Sequence, residues 1–568
     1  MNEIRNSQTF RQHVSRLRSS LSAHSPDSIC EFITEHTYLR GKKFSFEGHE
    51  YQEEILRDPS RNIVITKSAQ IGISEMSARL AVARAVLING FSTIYTLPSA
   101  SAAQSFMKTR ISPIVDSSPY LRELVSLDVD NSSVKRFGDS YVYLKGCQVD
   151  RQAISTPADM TIFDETDNSD QDVMTLFESR IIHSPYKMTV KLSTPTIPGY
   201  GISKAFDTSR RKFNFAKCPC CGEWFYPEYY AHVKIPGYAG KLEEITRRDF
   251  ASPKFKWNDA YLSCPKCGSA VDLRLSKRNW VVENPDDAFF DSGYRVSPFD
   301  NPATVTPADL VKASVTFTRP QDFVNQRLGL PMADSETALA LEELERAIIS
   351  EYPGGGFSYV MGLDMGNTCW CTVGAVFPDS SVIIVKVEPI PVHRVVSRVQ
   401  ELVRQFRIRM MVVDRGPLTE AVYQIQQVVR NSFAAVFVQS KGIDLFKVTD
   451  REANPDKGVE DMRQVNISKD SVMDLMMSMV RLGQIRKVSD EHDRVWQDHM
   501  MDNKRVKAFK NGEMVYTWVK TAGEDHSAMA LVYLIVASRI LGVAAGSTVR
   551  LPLATSFKLT PQKMSNIN

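Results

Sequence analysis

Four groups of residues in this chain have types and spacings suited to chemistry. The first is Lys67-Ser-Ala-Gln-Ile-Gly72-Ile73-Ser74, set between the apolar run NIVIT (62–66) and a helical pattern. A phosphate-binding loop has the form G-x4-G-K-S/T. Its backbone N–H groups cradle phosphates, its lysine neutralises charge, and its hydroxyl ligates Mg²⁺. Gly72 and Ser74 stand at the expected positions, but the lysine has moved from the seventh position to the first. A loop curled around phosphates brings both its ends close to them, so Lys67 can still reach the outer phosphates. A helix N-terminus near Ser74 adds its dipole. Alone, the segment reads better as an ordinary strand-to-helix turn.

The second group changes that reading. Ala-Asp-Met-Thr-Ile-Phe-Asp164-Glu165 is an apolar strand ending in two acids. Asp164 suits holding the Mg²⁺ of ATP through water, and Glu165 suits orienting and deprotonating the attacking water. Tyr51 and Gln52 precede the first strand, where a ring and an amide can grip adenine. Thr194, in Ser193-Thr194-Pro195-Thr196, ends the next strand, where a hydroxyl can sense the γ-phosphate. Arg79, Arg84, Arg110 and Arg180 all remain open as an arginine finger.

The third group is a pair of knuckles, Cys218-Pro-Cys220-Cys221-Gly and Cys264-Pro-Lys-Cys267-Gly. Each offers two thiolates on a tight turn, and together they complete a tetrahedral zinc site from Cys218, Cys221, Cys264 and Cys267. Their separation exceeds the short ribbon spacing and accommodates a β-insert. Four thiolates leave no open position for water, so the expected Zn²⁺ is structural. Cys220 is the spare thiol.

The fourth group is three separated acids. Asp364 closes YVMGLD, Asp414 closes MMVVD, and Asp525 opens the last helix in Gly-Glu-Asp525-His526-Ser-Ala-Met. Three carboxylates drawn together repel one another unless cations bind, which makes a two-metal site for phosphodiester hydrolysis with Mg²⁺ or Mn²⁺. Asp474 and Glu524 are acids able to assist or replace one member. Between Asp414 and Asp525, KRVKAFKNGEMVYTWVK (504–520) is a hairpin with an Asn511-Gly512 turn signal and one basic arm. It is either a charged exposed hairpin or a contact to the DNA backbone.

These residues need elements to position them. From 46 to 215, strand-like runs (NIVIT, STIYTLP, MTIFDE, KMTVKLSTP) alternate with helical ones, which predicts an α/β domain with a parallel sheet. Residues 216–275 carry the cysteines and turns of a zinc-binding module. Residues 276–355 read as a connector ending in the hinge Pro353-Gly-Gly-Gly356. From 356 to 545 the order is three strands, helix, strand, helix, strand and a late apolar helix, the order of an RNase H-like fold. Residues 1–45 read as a polar arm and 546–568 as an exposed tail without acidic residues.

The 568 residues exceed one core and suggest three or four domains. A net charge of +3 neither demands nor excludes nucleic acid, so any basic surface is local. There is no run of about 18 apolar residues and no apolar signal-peptide core, so a cytosolic protein is expected. Five of the nine cysteines lie in the two knuckles, a pattern that favours metal over disulfides in a reducing compartment.

An ATPase, a four-cysteine module and an RNase H-like nuclease in this order resemble the large terminase subunit of tailed bacteriophages. The lambda-type branch is the most similar, since its phosphate loop also begins with a basic residue and reads roughly K-S-A-x-x-G-x-S. Thr96-Leu-Pro-Ser99 with the helix around Phe106, and Asp322-Phe-Val-Asn-Gln-Arg-Leu-Gly-Leu-Pro331, are similar to further family motifs. The resemblance spans roughly 46–541. It implies a DNA-packaging motor that hydrolyses ATP to translocate double-stranded DNA through the portal into an empty capsid and cuts concatemers. It further implies a ring, expected as a pentamer, partnered by portal protein and a small terminase subunit in the host cytoplasm. The chain departs from the family at Asp525-His526-Ser527-Ala528-Met529, where a further acid is often found. A helicase–nuclease of repair or restriction is the alternative, but the zinc module occupies the place of a second set of motor motifs. A capsid or scaffold protein is disfavoured by intact Ser74, Asp164 and Glu165.

Overall fold

The computed structural model describes residues 26–544 apart from 127–128, 130, 154–155, 251, 253, 284–289, 334–337, 356–357, 439–444, 450–461, 511–512 and 522. The expected tail, most of the expected N-terminal arm and the Asn511-Gly512 turn lie outside the described residues. The chain divides into two compact units, residues 1–334 with 506–515, and residues 335–505 with 516–568.

In the first unit, helix α1 (Pro26–His36) leads into a small hairpin of β1 (Tyr38–Leu39) and β2 (Lys42–Lys43), and then helix α2 (Glu50–Leu56). Strand β3 (Asn62–Lys67) feeds the loop, and helix α3 (Ile73–Leu87) leaves it. Ala78, Ala81 and Ala83 in α3 are fully buried, because their small side chains let the helix lie close to its neighbours. The unit continues through β4 (Ser92–Leu97), β5 (Val134–Phe137), β6 (Ser140–Gly146), β7 (Met160–Asp164), β8 (Met188–Ser193), β9 (Ser209–Lys217) and β10 (Trp224–Phe225). The cysteine region adds β11 (Val233–Lys234) and β12 (Tyr261–Leu262), and the chain returns through β13 (Arg278–Val282) and β14 (Phe290–Val296).

The main sheet runs β10-β9-β14-β3-β8-β7-β4-β6-β5, with β13 also pairing β9. From β9 to β6 every pairing is parallel, and β10, β13 and β5 pair antiparallel. Two features set the site. Strand β8 lies between the loop strand β3 and the acid strand β7, and β3 is closed on its other side by β14, from the segment expected as a connector. Residues 276–355 therefore do not fold as one piece. The part through Leu330 joins the first unit, while β15 (Ile348–Ile349) pairs in the second sheet.

The second unit is built on β16 (Ser358–Asp364), β17 (Thr368–Val376), β18 (Val382–Pro391), helix α4 (Val395–Phe406), β19 (Met410–Asp414), helix α5 (Thr419–Val428) and β20 (Ser432–Phe437). Strands β21 (Phe446–Thr449), β22 (Gln464–Ile467) and β23 (Ile485–Val488) extend it. The sheet order is β15-β23-β18-β17-β16-β19-β20-β22-β21. Strands β16, β17 and β18 are antiparallel, whereas β16, β19 and β20 are parallel. A hairpin of β24 (Asn503–Lys510) and β25 (Glu513–Lys520) precedes the last helix, α6 (His526–Ala544).

Strand periodicity divides this core into two faces. Met361, Leu363, Met411 and Val413 point into one cluster with Val399 and Leu402 of α4 and with Val422 and Ile425 of α5. Val360, Met410 and Val412 point into the other, where α6 buries Ala528 through Ala537. The same alternation sends Gly362, Asp364 and Asp414 to the α6 face. At Gly362 the helix meets the strand directly, since a β-carbon there would lie 2.0 Å from the Ala530 carbonyl oxygen.

Candidate functional site

The loop after β3 is braced from both sides. The Ser68 amide donates to the Val296 carbonyl of β14 at 3.1 Å, and the Ala69 amide to the Gln326 carbonyl at 2.7 Å. Gln326 lies in a single π-helical turn, Val324–Leu328. That turn ends at Gly329 (φ 65°), where a β-carbon would meet the Ser68 amide nitrogen at 2.6 Å. Beneath the loop, the Tyr51 hydroxyl donates to the Ile71 carbonyl, and Gln52 Nε2 lies 3.4 Å from that hydroxyl. A side chain at Gly72 (φ 83°) would collide with Gln52. Tyr51 and Gln52 are each only 3% exposed. In this structure they support the loop and present no open ring face to a base.

The braced loop opens onto a cleft of about 510 Å³ lined by Lys67, Gly72, Ser74, Arg40 and Arg110 among others. The companion acids end β7 beside it. Asp164 is buried, and accepts from the Tyr95 hydroxyl at 2.8 Å and from the Glu165 amide at 2.9 Å. Tyr95 is 2.8 Å from Ser77 Oγ, which donates to the Ser74 carbonyl at 3.1 Å. This relay fixes the acid relative to the first turn of α3. Glu165 has a left-handed backbone (φ 56°), a conformation that costs energy for a residue other than glycine and clusters at functional sites. The residue is exposed, yet desolvation of its carboxyl raises its pKa. The Asp164 charge adds to the rise, and the nearby Lys67 ammonium opposes it.

Thr194 is half-buried at the end of β8, where Ser193 Oγ donates to its carbonyl at 3.1 Å. Two residues on, Thr196 is tied to buried Asp167 through its amide (2.7 Å) and hydroxyl (2.8 Å). Burial pushes the Asp167 carboxyl up to about 6 against these donors. Of the four arginines, Arg79 is fully buried, bonded to Glu75, Thr37 and the Tyr38 carbonyl, with its guanidinium over the Phe44 ring. Arg84 is also buried. Both face inward and are excluded as fingers. Arg180 lies against Ser179, while Arg110 is half-exposed at the cleft, 3.2 Å from Glu75.

The four knuckle cysteines converge, with all four sulfurs within 4.8 Å of one another. Cys218 and Cys267 are 3.7 Å apart, and Cys221 and Cys264 are 3.6 Å apart. A tetrahedral Zn–S distance of about 2.3 Å requires an edge of roughly 3.8 Å, so the donor set fits zinc. Gly222 (φ 75°) and Gly268 (φ 72°) close the two turns, donating to the Cys218 and Cys264 carbonyls at 3.0 Å. Ser269, through its hydroxyl and then its amide, holds the Cys267 thiol down to about 6, whereas Cys221, despite a lowering bond at the Glu223 backbone, is pushed up to about 12 by desolvation and its bonds to the other three thiols. Cys220 is exposed.

In the second unit, Leu363 and Val413 are register partners in parallel strands, so Asp364 and Asp414 end neighbouring strands on one face. Asp525 precedes α6 and lies 3.9 Å from Lys520 Nζ. Burial raises the pKa of both Asp364 and Asp414, and the charges of Asp414 and Asp525 raise Asp364 further. Among the described residues only the cysteines close within 4.8 Å as a set of three or more donors, so the acids are neighbours without forming a tight cage. The departure at His526 has a partner: its Nδ1 is 2.8 Å from Asp364 Oδ2. Tyr533, two turns further along α6, acts on Asp414 and holds its pKa down against burial. Asp474 is engaged elsewhere, with Trp518 Nε1 (2.7 Å) and Arg505 (2.9 Å) at the base of the hairpin. Glu524 lies 3.7 Å from His499.

Sequence reasoning missed Arg40, Tyr95, His526 and Tyr533. Only His526 carried a signal, by adjoining Asp525. The others enter through sheet and helix packing.

The profile of the phage terminase large subunit gpA ATPase domain matches residues 48–281. The large terminase subunit of Escherichia phage lambda is 24% identical over 362 residues, covering 57% of this chain and 56% of that one. The chain thus spans little more than half the length of this relative. Among solved structures, the large terminase of bacteriophage HK97 aligns over 90% of this chain and 99% of its own, with 11% identity and a TM-score of 0.48. The large terminase nuclease of thermophilic phage G20c aligns over 34% of this chain and 96% of its own, with 14% identity and a TM-score of 0.24. The segment 48–281 is thus similar to the ATPase domain of the phage terminase large subunit.

Proposed function

We propose that the chain is the ATP-driven, DNA-cutting subunit of a viral packaging motor. The observation that carries the reading is the braced loop with Lys67 at its start and Asp164-Glu165 beside it, inside the segment matched to the terminase ATPase domain. In this reading Lys67 and the loop amides hold the phosphates, and Ser74 and Asp164 would hold the nucleotide's Mg²⁺. Glu165 takes the proton of the attacking water, a role suited by its raised pKa. Thr194 senses the γ-phosphate, and Tyr51 and Gln52 support the loop from below. ATP turnover translocates double-stranded DNA through the portal.

The second unit is read as the nuclease. Its order β18-β17-β16-β19-β20, antiparallel and then parallel, supports an RNase H-like domain. Asp364, Asp414 and Asp525 would hold Mg²⁺ or Mn²⁺, which supplies an activated water and stabilises the leaving oxygen. Desolvated carboxylates that raise one another's pKa fit a site completed by cations. Cys218, Cys221, Cys264 and Cys267 would hold a structural Zn²⁺. Docking of a ring of these chains on the procapsid portal in the host cytoplasm, with a small terminase subunit presenting DNA, follows from the same reading.

The deciding experiment is ATP-dependent uptake of DNA into purified empty capsids, which a helicase–nuclease fails. Lys67→Ala is expected to abolish ATP turnover and uptake while leaving metal-dependent nicking. Unchanged turnover in that variant removes Lys67 from the site.

A further inference from the structure

The phosphate cleft has a wall that none of its motifs supplies. Leu39 and Arg40, from the hairpin ahead of the ATPase segment, line it together with Lys67, Gly72 and Ser74. Arg40 and Gly41 are the two central residues of that hairpin, at φ 52° and 79°. Two positive φ values in a two-residue connection define a type I′ turn, whose first central position favours asparagine, aspartate or glycine. An arginine there adopts a left-handed backbone without the local hydrogen bonding that makes asparagine tolerate it. The turn itself therefore gives no reason for arginine.

The hairpin is fastened to the helix that starts at the loop. Buried Arg79 of α3 donates to the Tyr38 carbonyl at 2.9 Å and to Thr37 Oγ1 at 3.1 Å, with its guanidinium 4.2 Å from the centre of the Phe44 ring. The Phe44 amide in turn donates to the Thr37 carbonyl at 3.0 Å. Arg79 thus braces both sides of the turn from inside the core. Arg40 itself is exposed at the cleft mouth. The cleft meets three cations, Arg40, Lys67 and Arg110, against one acid, Glu75, which already pairs with Arg79 and Arg110.

We infer that Arg40 is a phosphate-contacting residue of the nucleotide site, acting within its own subunit from a turn held at fixed position by Arg79. The inference rests on the nucleotide reading of the cleft. A guanidinium can engage phosphate oxygens through two parallel N–H donors, which a lysine cannot reproduce. A turn anchored on α3 presents that fork with little loss of conformational freedom.

The turn chemistry supplies a clean test on the full-length chain. Arg40→Asn installs the residue that a type I′ turn favours, so its melting temperature is expected to match or exceed that of the unsubstituted chain. Its affinity for ATP, measured by titration with a fluorescent ATP analogue and competition by unlabelled ATP, is expected to fall about tenfold or more. KM for ATP rises correspondingly while kcat at saturation is kept, the signature of binding lost equally from ground and transition states. Arg40→Lys retains the charge, loses the fork and is expected between the two. Tripolyphosphate competes for the unsubstituted chain and loses potency in Arg40→Asn, which separates a phosphate contact from one to the base. Undiminished ATP affinity in Arg40→Asn overturns the inference while leaving the cleft reading intact, provided Lys67→Ala loses binding. Failure of the unsubstituted chain to bind ATP overturns both.

Discussion

The cysteine cluster and the acid cluster are both read as metal sites, and they are built in opposite ways. The four sulfurs already stand near the corners of a zinc tetrahedron, held by two turns that each close on a glycine with positive φ. The acids come from two strands and the start of a distant helix, and they do not close to a comparable distance. Neutral thiols tolerate each other's company, whereas buried carboxylates repel. The first site can be shaped by local backbone alone. The second needs the whole sheet to bring its members near and a cation to draw them together.

That contrast can be broken at several points. The largest effect is expected at the cysteines, because structural zinc binding is folding free energy, of order 10 kcal/mol in isolated zinc-finger peptides. Removal of zinc by a strong chelator, or Cys264→Ser, is expected to lower the melting temperature sharply, and elemental analysis to find about one zinc per intact chain. A metal-free chain with unchanged melting would end the four-thiolate reading. Next is Asp364→Ala, expected to cut metal-dependent nicking by more than about a hundredfold, since charge stabilisation by the metals contributes several kcal/mol. ATP turnover should persist, and full nicking would discard the three-acid site.

Gly362→Ala tests the long-range construction directly. The added carbon would lie 2.0 Å from the Ala530 carbonyl oxygen, so α6 must move, at a cost of about 3 kcal/mol. Nicking is expected to fall with every acid still present; wild-type nicking and melting would show that α6 placement is not what assembles the site. The smallest effect is a pH dependence. The folded pKa values of Asp364 and Asp414 are raised, so the folded state binds protons more readily than the unfolded one. Without divalent cations, their contribution to stability should increase as pH falls through the raised values towards the ordinary carboxylate value of about 3.9. Asp414→Asn should flatten that rise, and Mg²⁺ or Mn²⁺ should reverse the preference. Equal slopes in both chains would separate Asp414 from the effect.

Much of this arrangement was legible in the sequence because it is periodic. In YVMGLD and MMVVD, alternation alone puts Asp364 and Asp414 on one face once the strands are parallel neighbours. The loop, an ordinary turn when read alone, gained its reading from the companion pair Asp164-Glu165, and the knuckles gained theirs from repeated C-P-x-C-G. What stayed hidden depends on partners far along the chain. Nothing in FDSGYRV marks a central strand: it lacks an apolar run, and its pairing with β3 follows a long excursion through the cysteine region. Tyr51 is an aromatic residue before a strand in the sequence, and only packing reveals its bond to the Ile71 carbonyl. Arg40 reads as one more charge in a basic stretch, since its relation to the cleft is set by Arg79 three elements later.

The return of β14 has a practical side. Synthesis from the N-terminus delivers β3 and its loop early, but the strand that flanks β3 and the carbonyl that receives the Ala69 amide come more than two hundred residues later. Until then β3 has an unpaired edge, a template for wrong pairing during translation. A fragment ended at residue 281, where the family match stops, would keep every recognised nucleotide motif and still lack both braces. Expression of the ATPase portion should therefore extend beyond Leu330. Shorter pieces are candidates for aggregation rather than for activity assays.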